Sequence, residues 1–440
     1  MVRKLNSWTF RGRCLAAVYA LSVWVLPVAA DGGAAPYGEH FVRVGKTWPD
    51  AAPPLRSPEA VPQLDLDRDE YERRLVQVES AGGPYSDGLT EPLLGLARYH
   101  RGQGELETAL ALNQRALHLL RVNDGLYSER QIPLVREQLQ LYREAGDFNA
   151  LDQRYDYFFR LYGSGRPPYS ELRLQATLEY LRWQREALRS GLDEDGAQRR
   201  LLNLYELNRD LMEAAMTAPG VNSQMRMKLG LSQLRNLYLL MDRVQAPVED
   251  LFGVAGNRSG VGYPGGELQD FHNARLQALR STGLAKGRAL VNGLLEEQPG
   301  IAVRDRARLH LELADWYQWN GLRSSAMEHY RSAFDILTDA QETALLGQWM
   351  GQAVELPDNG AFWQATRFQA DEESAVITAS FRVNSRGRAR EVQTLANTAE
   401  DARFATRLRR QLQATYFRPR FEAGEPVETV TSERQYRVYD

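Results

Sequence analysis

The sequence predicts an all-α solenoid of repeated helix pairs followed by a small α+β domain of order ββαβ. Three observations carry this. A Tyr-Ser-acid triplet recurs at Tyr85-Ser86-Asp87, Tyr127-Ser128-Glu129 and Tyr169-Ser170-Glu171, 42 residues apart each time. A fixed period of that length marks stacked helical units. After Ser374 the pattern changes to strict alternation, with Ala375, Ile377, Ala379, Phe381 and Val383 on one face of a strand.

Taken in order, residues 1–30 read as a secretory signal. Arg3, Lys4, Arg11 and Arg13 precede an uncharged apolar run from Leu15 to Leu26, and Val28-Ala29-Ala30 offers a small-residue cleavage site. The run is shorter than the roughly 20 residues a spanning helix prefers. Cys14, the single cysteine, precedes the run, which excludes a lipoprotein signal. Residues 31–66 hold six prolines and read as an extended, mostly disordered linker.

Residues 67–356 read as the helical repeat domain. Its first two units align at Gly104/Gly146, Glu105/Asp147, Leu106/Phe148 and Leu120/Tyr162, with Pro92 and Pro133 where a helix starts. The third unit drifts, its Gly191-Leu192-Asp193 turn coming late. Helices around 193–217 and 222–244 show apolar stripes without a repeat. The stretch Gly253–Gly266 holds six glycines and reads as a surface loop, since it lacks the strand and the Lys-Ser/Thr of a phosphate loop. A last unit carries Leu311, Ala314, Tyr317, Gly321, Ala326, Tyr330 and Ala333 at positions that resemble the tetratricopeptide repeat, so the whole region is expected to be tetratricopeptide-like. The aromatics of 155–162 and 316–319 are expected in the core and between repeats.

Residues 360–440 form the second domain. Asn384-Ser385-Arg386-Gly387 is a turn; Ala389, Val392 and Leu395 form a second strand whose spacing implies a bulge. Thr398 with Asp401 is a capping box ahead of a helix with Phe404, Leu408 and Leu412 on one stripe. Pro419 confines the Tyr416–Phe421 segment to an edge or bulge. Val430 to Val438 alternates again, with Val430, Tyr436 and Val438 on one face.

This order, with Ile377–Val392, Phe417-Arg418-Pro419 and Gly424-Glu425-Pro426-Val427, resembles the C-terminal domain of the TonB energy-transducer family. The departures are Phe362–Arg367 in place of a Tyr-Pro opening, and Ala396-Asn397-Thr398 in place of small residues. The resemblance implies that an extended peptide adds to the exposed edge of the last strand, Thr429, Val430, Thr431, Ser432, Glu433, Arg434, Gln435, Tyr436, Arg437 and Val438. In the family that peptide belongs to an outer-membrane transporter, and domains also pair through the same strand. Family transducers couple to a motor through an uncleaved helix carrying a histidine; residues 1–39 contain none.

Composition narrows the functional classes. The net charge is −3, with 54 basic and 57 acidic residues, so no global basic field points to nucleic acid. Only four of the basic residues are lysine. Removal of the leader would leave no cysteine for a disulfide, a thiolate nucleophile or a metal. The six histidines show no ligand spacing; His310 and His329 could meet across one helix pair, though a solvated face is the expected place for each. No nucleophile elbow and no paired carboxylates appear. No cofactor, small-molecule substrate or metal is implied.

The first reading is therefore an exported periplasmic adaptor without enzymatic activity. Its protein partners would be an outer-membrane transporter or another envelope protein at the strand edge, and a second protein in the solenoid groove. An inner-membrane-anchored energy transducer is the alternative. A third reading is an envelope enzyme with its site in the groove or the glycine-rich loop.

Overall fold

The structure is a computed structural model that describes residues 40–45, 68–192, 194–244, 266–296, 301–363, 373–396, 398 and 401–439. The leader, most of the 31–66 segment and residues 253–265 of the glycine-rich stretch lie outside these. The described residues are mostly helical, with a small C-terminal sheet region.

A three-residue strand, β1 (Phe41–Arg43), comes first. The helices follow as α1 (Arg68–Gly82), α2 (Thr90–Gly102), α3 (Leu106–Asp124), α4 (Ile132–Ala145), α5 (Phe148–Leu161), α6 (Glu171–Arg189), α7 (Ala197–Thr217), α8 (Ser223–Arg243), α9 (Gly266–Ser281), α10 (Gly283–Glu296), α11 (Val303–Trp319), α12 (Arg323–Asp339) and α13 (Thr343–Met350). Each packs on its neighbour in the chain, and α6 and α10 also pack on α8. The 42-residue spacing is real at the level of elements, since α2 and α4, and α3 and α5, begin that far apart. The serine of the repeated triplet has a local task. Ser170 Oγ accepts from Arg173 N and caps α6, and Ser128 Oγ accepts from Arg130 N. Gly104 and Gly146 take positive φ where each pair turns.

Apolar burial holds the stack together. Leu93, Val135, Phe158 and Trp183 fill one cluster, and Leu234, Tyr238, Trp316 and Tyr330 another. Tyr155 stacks on Trp183 at 4.8 Å, and Tyr238 meets Trp316 edge-on at 4.7 Å, as expected for the aromatic runs. Gly287 on α10 lets Trp316 lie against its backbone, where any Cβ would collide with the indole.

A ladder of ion pairs runs along the stack. Arg101 on α2 reaches Glu144 on α4, and Arg143 on α4 reaches Glu186 on α6, both across 43 residues. Arg136 and Glu179 add a buried rung between α4 and α6 at 3.0 Å. Positions 101, 143 and 185 are all arginine, one repeat apart. The third of them, Arg185 on α6, meets no glutamate among the described residues; its Nη1 donates to Ser232 Oγ at 3.1 Å and Asn236 Oδ1 at 2.8 Å on α8.

The C-terminal module consists of β2 (Val354–Glu355), β3 (Ser374–Val383), β4 (Ala389–Leu395), α14 (Ala402–Ala414), β5 (Phe417–Arg418), β6 (Arg420–Glu422), β7 (Glu425–Val427) and β8 (Ser432–Tyr439). The expected ββαβ order is present, with three short strands inserted before the last. The main sheet runs β1-β8-β3-β4, all antiparallel. Ala375, Ile377, Ala379, Phe381 and Val383 face Phe404, Leu408 and Leu412 of α14, the alternation read from the sequence. The bulge is at Glu391, whose φ is +54°. Thr398 and Asp401 exchange side-chain-to-backbone bonds at 3.2 Å, the expected capping box.

Three expectations need correction. Residues 41–43 lie within the presumed linker yet form a strand of the C-terminal sheet. The module also begins before 360, because β2 pairs with β5 and Ala353 joins its core. Val430 is 78 % exposed instead of sharing the buried face of Tyr436 and Val438; Thr429, bonded through its backbone N–H and hydroxyl to Val383, turns the chain before β8 begins.

The ladder yields a graded prediction. Glu186 is 1 % exposed, so Glu186→Ala strands the Arg143 guanidinium and should cost about 3–5 kcal/mol. Arg130→Ala removes the exposed Arg130–Asp87 pair across the same interval and should cost under about 1 kcal/mol. Urea unfolding of both variants measures the difference; equal losses would mean the buried rung is not what joins α4 to α6.

Candidate functional site

The strand nominated for a partner, β8, is not at the edge of its sheet. One side pairs with β3 from Ser374↔Tyr439 to Phe381↔Ser432. The other side carries β1, in the register Phe41↔Val438, Val42↔Arg437 and Arg43↔Tyr436. Tyr439 N donates to His40 O and Val44 N to Gln435 O, both at 2.9 Å, so the pairing extends one residue beyond β1 at each end. Alternation of antiparallel bonds makes Val42 the paired residue between them. Phe41 is buried in the module core. The edge therefore accepts an extended strand, and the chain itself supplies one.

Behind this edge one carboxylate gathers three donors. Glu355, 4 % exposed, receives Arg43 Nη1 at 2.7 Å, Tyr436 Oη at 2.8 Å and Arg434 Nη1. Arg434 also donates to Ala353 O at 2.7 Å and lies over the Phe381 ring. Burial, reinforced by Glu355, pushes the Tyr436 phenol well above its usual range, so it stays a donor. Arg43 thus ties β1 to the same carboxylate that fixes β8.

The Phe-Arg-Pro segment faces inward, joining the sheet module to α11. Phe417 and Arg418 are buried. Arg418 donates from Nε and Nη2 to the two oxygens of Asp315 at 3.0 and 2.5 Å, from Nη1 to Trp349 O at 2.7 Å, and from Nη2 to Asp358 at 3.3 Å. Tyr330 Oη gives Asp315 a third bond at 2.7 Å. Beside this clamp Gln318 Nε2 donates to Arg386 O and Phe417 O at 2.9 and 3.1 Å. Gly387 is required here: its φ is +70°, and a Cβ would overlap Phe417 O and the Gln318 amide. Gly424 sits with Ala423 in a two-residue hairpin turn where both φ are positive, joining β6 to β7, which carries Pro426 and Val427. Phe421 enters the helical core beside Tyr330, ring centroids 5.5 Å apart.

Asp315, Gln318, Glu355 and the 41–43 strand were not singled out from sequence. Each is an isolated polar or short apolar position whose partner lies far away in the chain.

Half-buried and buried carboxylates elsewhere are engaged by neighbours. Asp152 holds Arg200 at 2.7 Å and Trp183 Nε1 at 2.7 Å, and Asp156 takes Tyr180 Oη at 3.0 Å; both line an open cavity of about 270 Å³ between α5, α6 and α7. Glu312 receives Asn359 Nδ2 at 3.0 Å. Among the described residues no group of three or more His, Cys, Asp or Glu could hold a metal ion, and no helix is long and apolar enough to cross a membrane.

His310 and His329 do meet, half-buried, with Nδ1 atoms 3.1 Å apart and His329 stacked on Tyr317 at 5.6 Å. The solvated-face expectation is overturned, because the pair closes the α11–α12 contact. One imidazole must donate while the other accepts, which requires at least one to be neutral.

No family model and no curated protein matches the chain.

Two outcomes are expected here. Arg418→Ala leaves Asp315 buried against Tyr330 alone and should cost about 3–5 kcal/mol in urea unfolding. Arg418→Lys should rescue little, since one ammonium cannot span Asp315, Asp358 and Trp349 O; full rescue would refute the geometric requirement. The second concerns pH. Burial pushes both imidazoles below their ordinary value of 6.5, with His329 adding to the effect on His310. The unfolded chain then binds protons more readily, so the pair's contribution is complete above 6.5 and is lost as pH falls below it through the lower folded-state values. Midpoints measured from about pH 8 to 5 should drop less in the His310→Gln/His329→Gln double variant; identical slopes would sink the assignment.

Proposed function

We propose that the protein is an exported, non-enzymatic adaptor. A C-terminal module of the TonB kind takes up an extended partner strand along β8, and a tetratricopeptide-like solenoid offers a groove to a second protein. The observation that carries this reading is the backbone pairing of β8 with residues 41–43, an extended segment far away in the chain that occupies the edge a partner would use. Support also comes from the Phe417-Arg418-Pro419 and Gly424-Glu425-Pro426-Val427 motifs, which resemble the family's, and from helix pairs spaced 42 residues apart. The partner segment is an extended peptide of an outer-membrane transporter or another envelope protein. It binds by exchanging with β1, and a second copy of the chain using the same edge would have to do likewise.

Main-chain bonds supply affinity in such augmentation, while alternate side chains set the register. Here Glu433, Gln435 and Arg437 point to solvent and Tyr436 and Val438 to the core, so an incoming strand needs an apolar residue opposite Val438, where Phe41 now sits.

The test uses peptides from the periplasm-facing ends of the host's outer-membrane transporters, titrated against the full chain with β8 amide shifts as readout. Val42→Pro removes the central β1 donor and should raise peptide affinity several-fold, because the competitor is weakened. Unchanged affinity in Val42→Pro, or shifts outside residues 432–439, would overturn strand exchange. N-terminal sequencing of the fractionated protein separates the adaptor from an anchored transducer: a start near Asp31 in the soluble periplasm fits the former, an intact Met1 in the membrane the latter.

A further inference from the structure

The open cavity between α5, α6 and α7 holds polar groups that the packing of the helices does not use. Its volume is about 270 Å³, and Leu181, Leu204 and Leu207 give it an apolar side. Part of the lining is locked in place. Asp152 accepts from Trp183 Nε1 at 2.7 Å and from the two Nη atoms of Arg200 at 3.0 and 2.7 Å, and Arg200 Nη1 also donates to Gln184 Oε1 at 2.9 Å. Asp156 accepts from Tyr180 Oη at 3.0 Å, and the Tyr180 ring stacks on Phe159 with centroids 4.2 Å apart. None of these side chains can turn without breaking a bond to a neighbour.

Gln184 shows that the cavity is built for more than packing. It is 8 % exposed, and the donor from Arg200 fixes which end of its amide is oxygen, so the position of the amide nitrogen follows. Among the described residues that Nε2 donates to nothing, and the side chain lines the cavity. A largely buried amide donor is stabilised by an acceptor placed in the space before it. Arg199 and Asn203, exposed and one turn apart on α7, line the same space and are likewise unbonded among the described residues. On α5 the second oxygen of Asp156 is also unused. Burial, and Asp152 after it, push the Asp156 carboxyl above its ordinary range against the pull of the Tyr180 hydroxyl, so a cation beside it is favoured. With Asp152 taken up by Arg200, the cavity offers a ligand one carboxylate, Asp156, and one guanidinium, Arg199.

We propose that this cavity binds a small zwitterion, an α-amino acid with an aliphatic side chain. Its ammonium donates to Asp156, its carboxylate accepts from Arg199, Gln184 Nε2 and Asn203 Nδ2, and its side chain lies against the three leucines. A guanidinium suits the carboxylate because its paired N–H groups match two oxygens at once. A ligand carrying one charge of each sign complements this lining, where a simple anion or cation would leave one group unmatched. The volume falls just below the range typical of drug-sized ligands, which fits a single amino acid. The site lies within the helical stack and is independent of strand exchange at β8.

The experiment is isothermal titration of the full chain with L-leucine, with N-acetyl-leucine, which lacks the cation, and with leucinol, which lacks the carboxylate. Saturable binding of leucine at one site per chain is expected, with each analogue weaker by about ten-fold or more. Arg199 is exposed, so Arg199→Gln keeps the fold; it should weaken leucine by about ten-fold and leave leucinol unchanged. Asp156→Asn should do the converse, weakening leucine and leaving N-acetyl-leucine unchanged. Should its urea midpoint show that Tyr180 is disturbed, Asn203→Ala on the exposed side takes its place and should weaken leucine and N-acetyl-leucine alike. No saturable heat with leucine, equal affinity for leucine and both analogues, or variants that bind as the wild type does would each overturn the proposal.

Discussion

The two parts of the molecule are joined by a buried guanidinium. Arg418 makes four hydrogen bonds, to Asp315, Asp358 and Trp349 O, and Asp315 in turn holds Tyr330 at the centre of the α11–α12 pair. Burying an ion pair costs several kcal/mol of desolvation per charge, and the Coulomb attraction rarely exceeds that by much. The pair therefore adds little net stability over apolar contact. What it fixes is orientation: only one placement of β5 against α11 satisfies every donor and acceptor, and Gln318 reads the same placement through Phe417 O and Arg386 O. Burial, with Asp358 adding to it, pushes the Asp315 carboxyl up against the opposing pull of Arg418 and Tyr330. The helical region and the sheet thus set each other's geometry.

The same logic organises the stack of helices. Apolar clusters supply most of the driving force, and they are tolerant of small shifts between neighbours. The arginine–glutamate rungs are not, because a guanidinium one residue out of register loses both bonds. A repeat of 42 residues places each arginine against the following glutamate as long as the helix pairs keep their length. The pair α6–α7 is longer, α8 arrives late, and Arg185 finds Asn236 across 51 residues instead of a glutamate across 43.

How much of this was legible depends on the range of the signal. Helices α2 to α5 follow from the recurring triplet, from Pro92 and Pro133, and from Gly104 and Gly146, all local. Strand β3 follows from alternation and α14 from its single stripe and the Thr398–Asp401 box. Strand β1 could not be read, because Phe41-Val42-Arg43 is too short for a period and lies among prolines. Nor could the clamp, since Asp315 is one acid on a helix with many and Arg418 lies 103 residues away. The motif around Arg418 was recognised for its resemblance, and its structural work is to dock the sheet on α11. His310 and His329 were noted as a pair that a helix hairpin could bring together, yet were assigned to solvent, because spacing alone says nothing of Tyr317 stacking beneath them.

The occupied edge of β8 bears on how any strand exchange would run. An open edge beside an apolar face is prone to pair with other copies of the chain, and covering it is the usual protection. A cover that is part of the same chain acts at an effective concentration set by its tether, without any need to be captured from solution. Yet β1 offers three paired residues with one further backbone bond at each end, one buried phenylalanine and one ion pair to Glu355, fewer contacts than a longer strand of good register would make. Residues Ser432, Glu433 and Arg434 of β8 extend beyond its reach and give an incoming strand a place to start. Pairing there first, then advancing residue by residue toward Val438, would displace β1 without ever exposing the edge. The short length of β1 would make it a cover that can be exchanged, where a full-length strand would be a permanent part of the sheet.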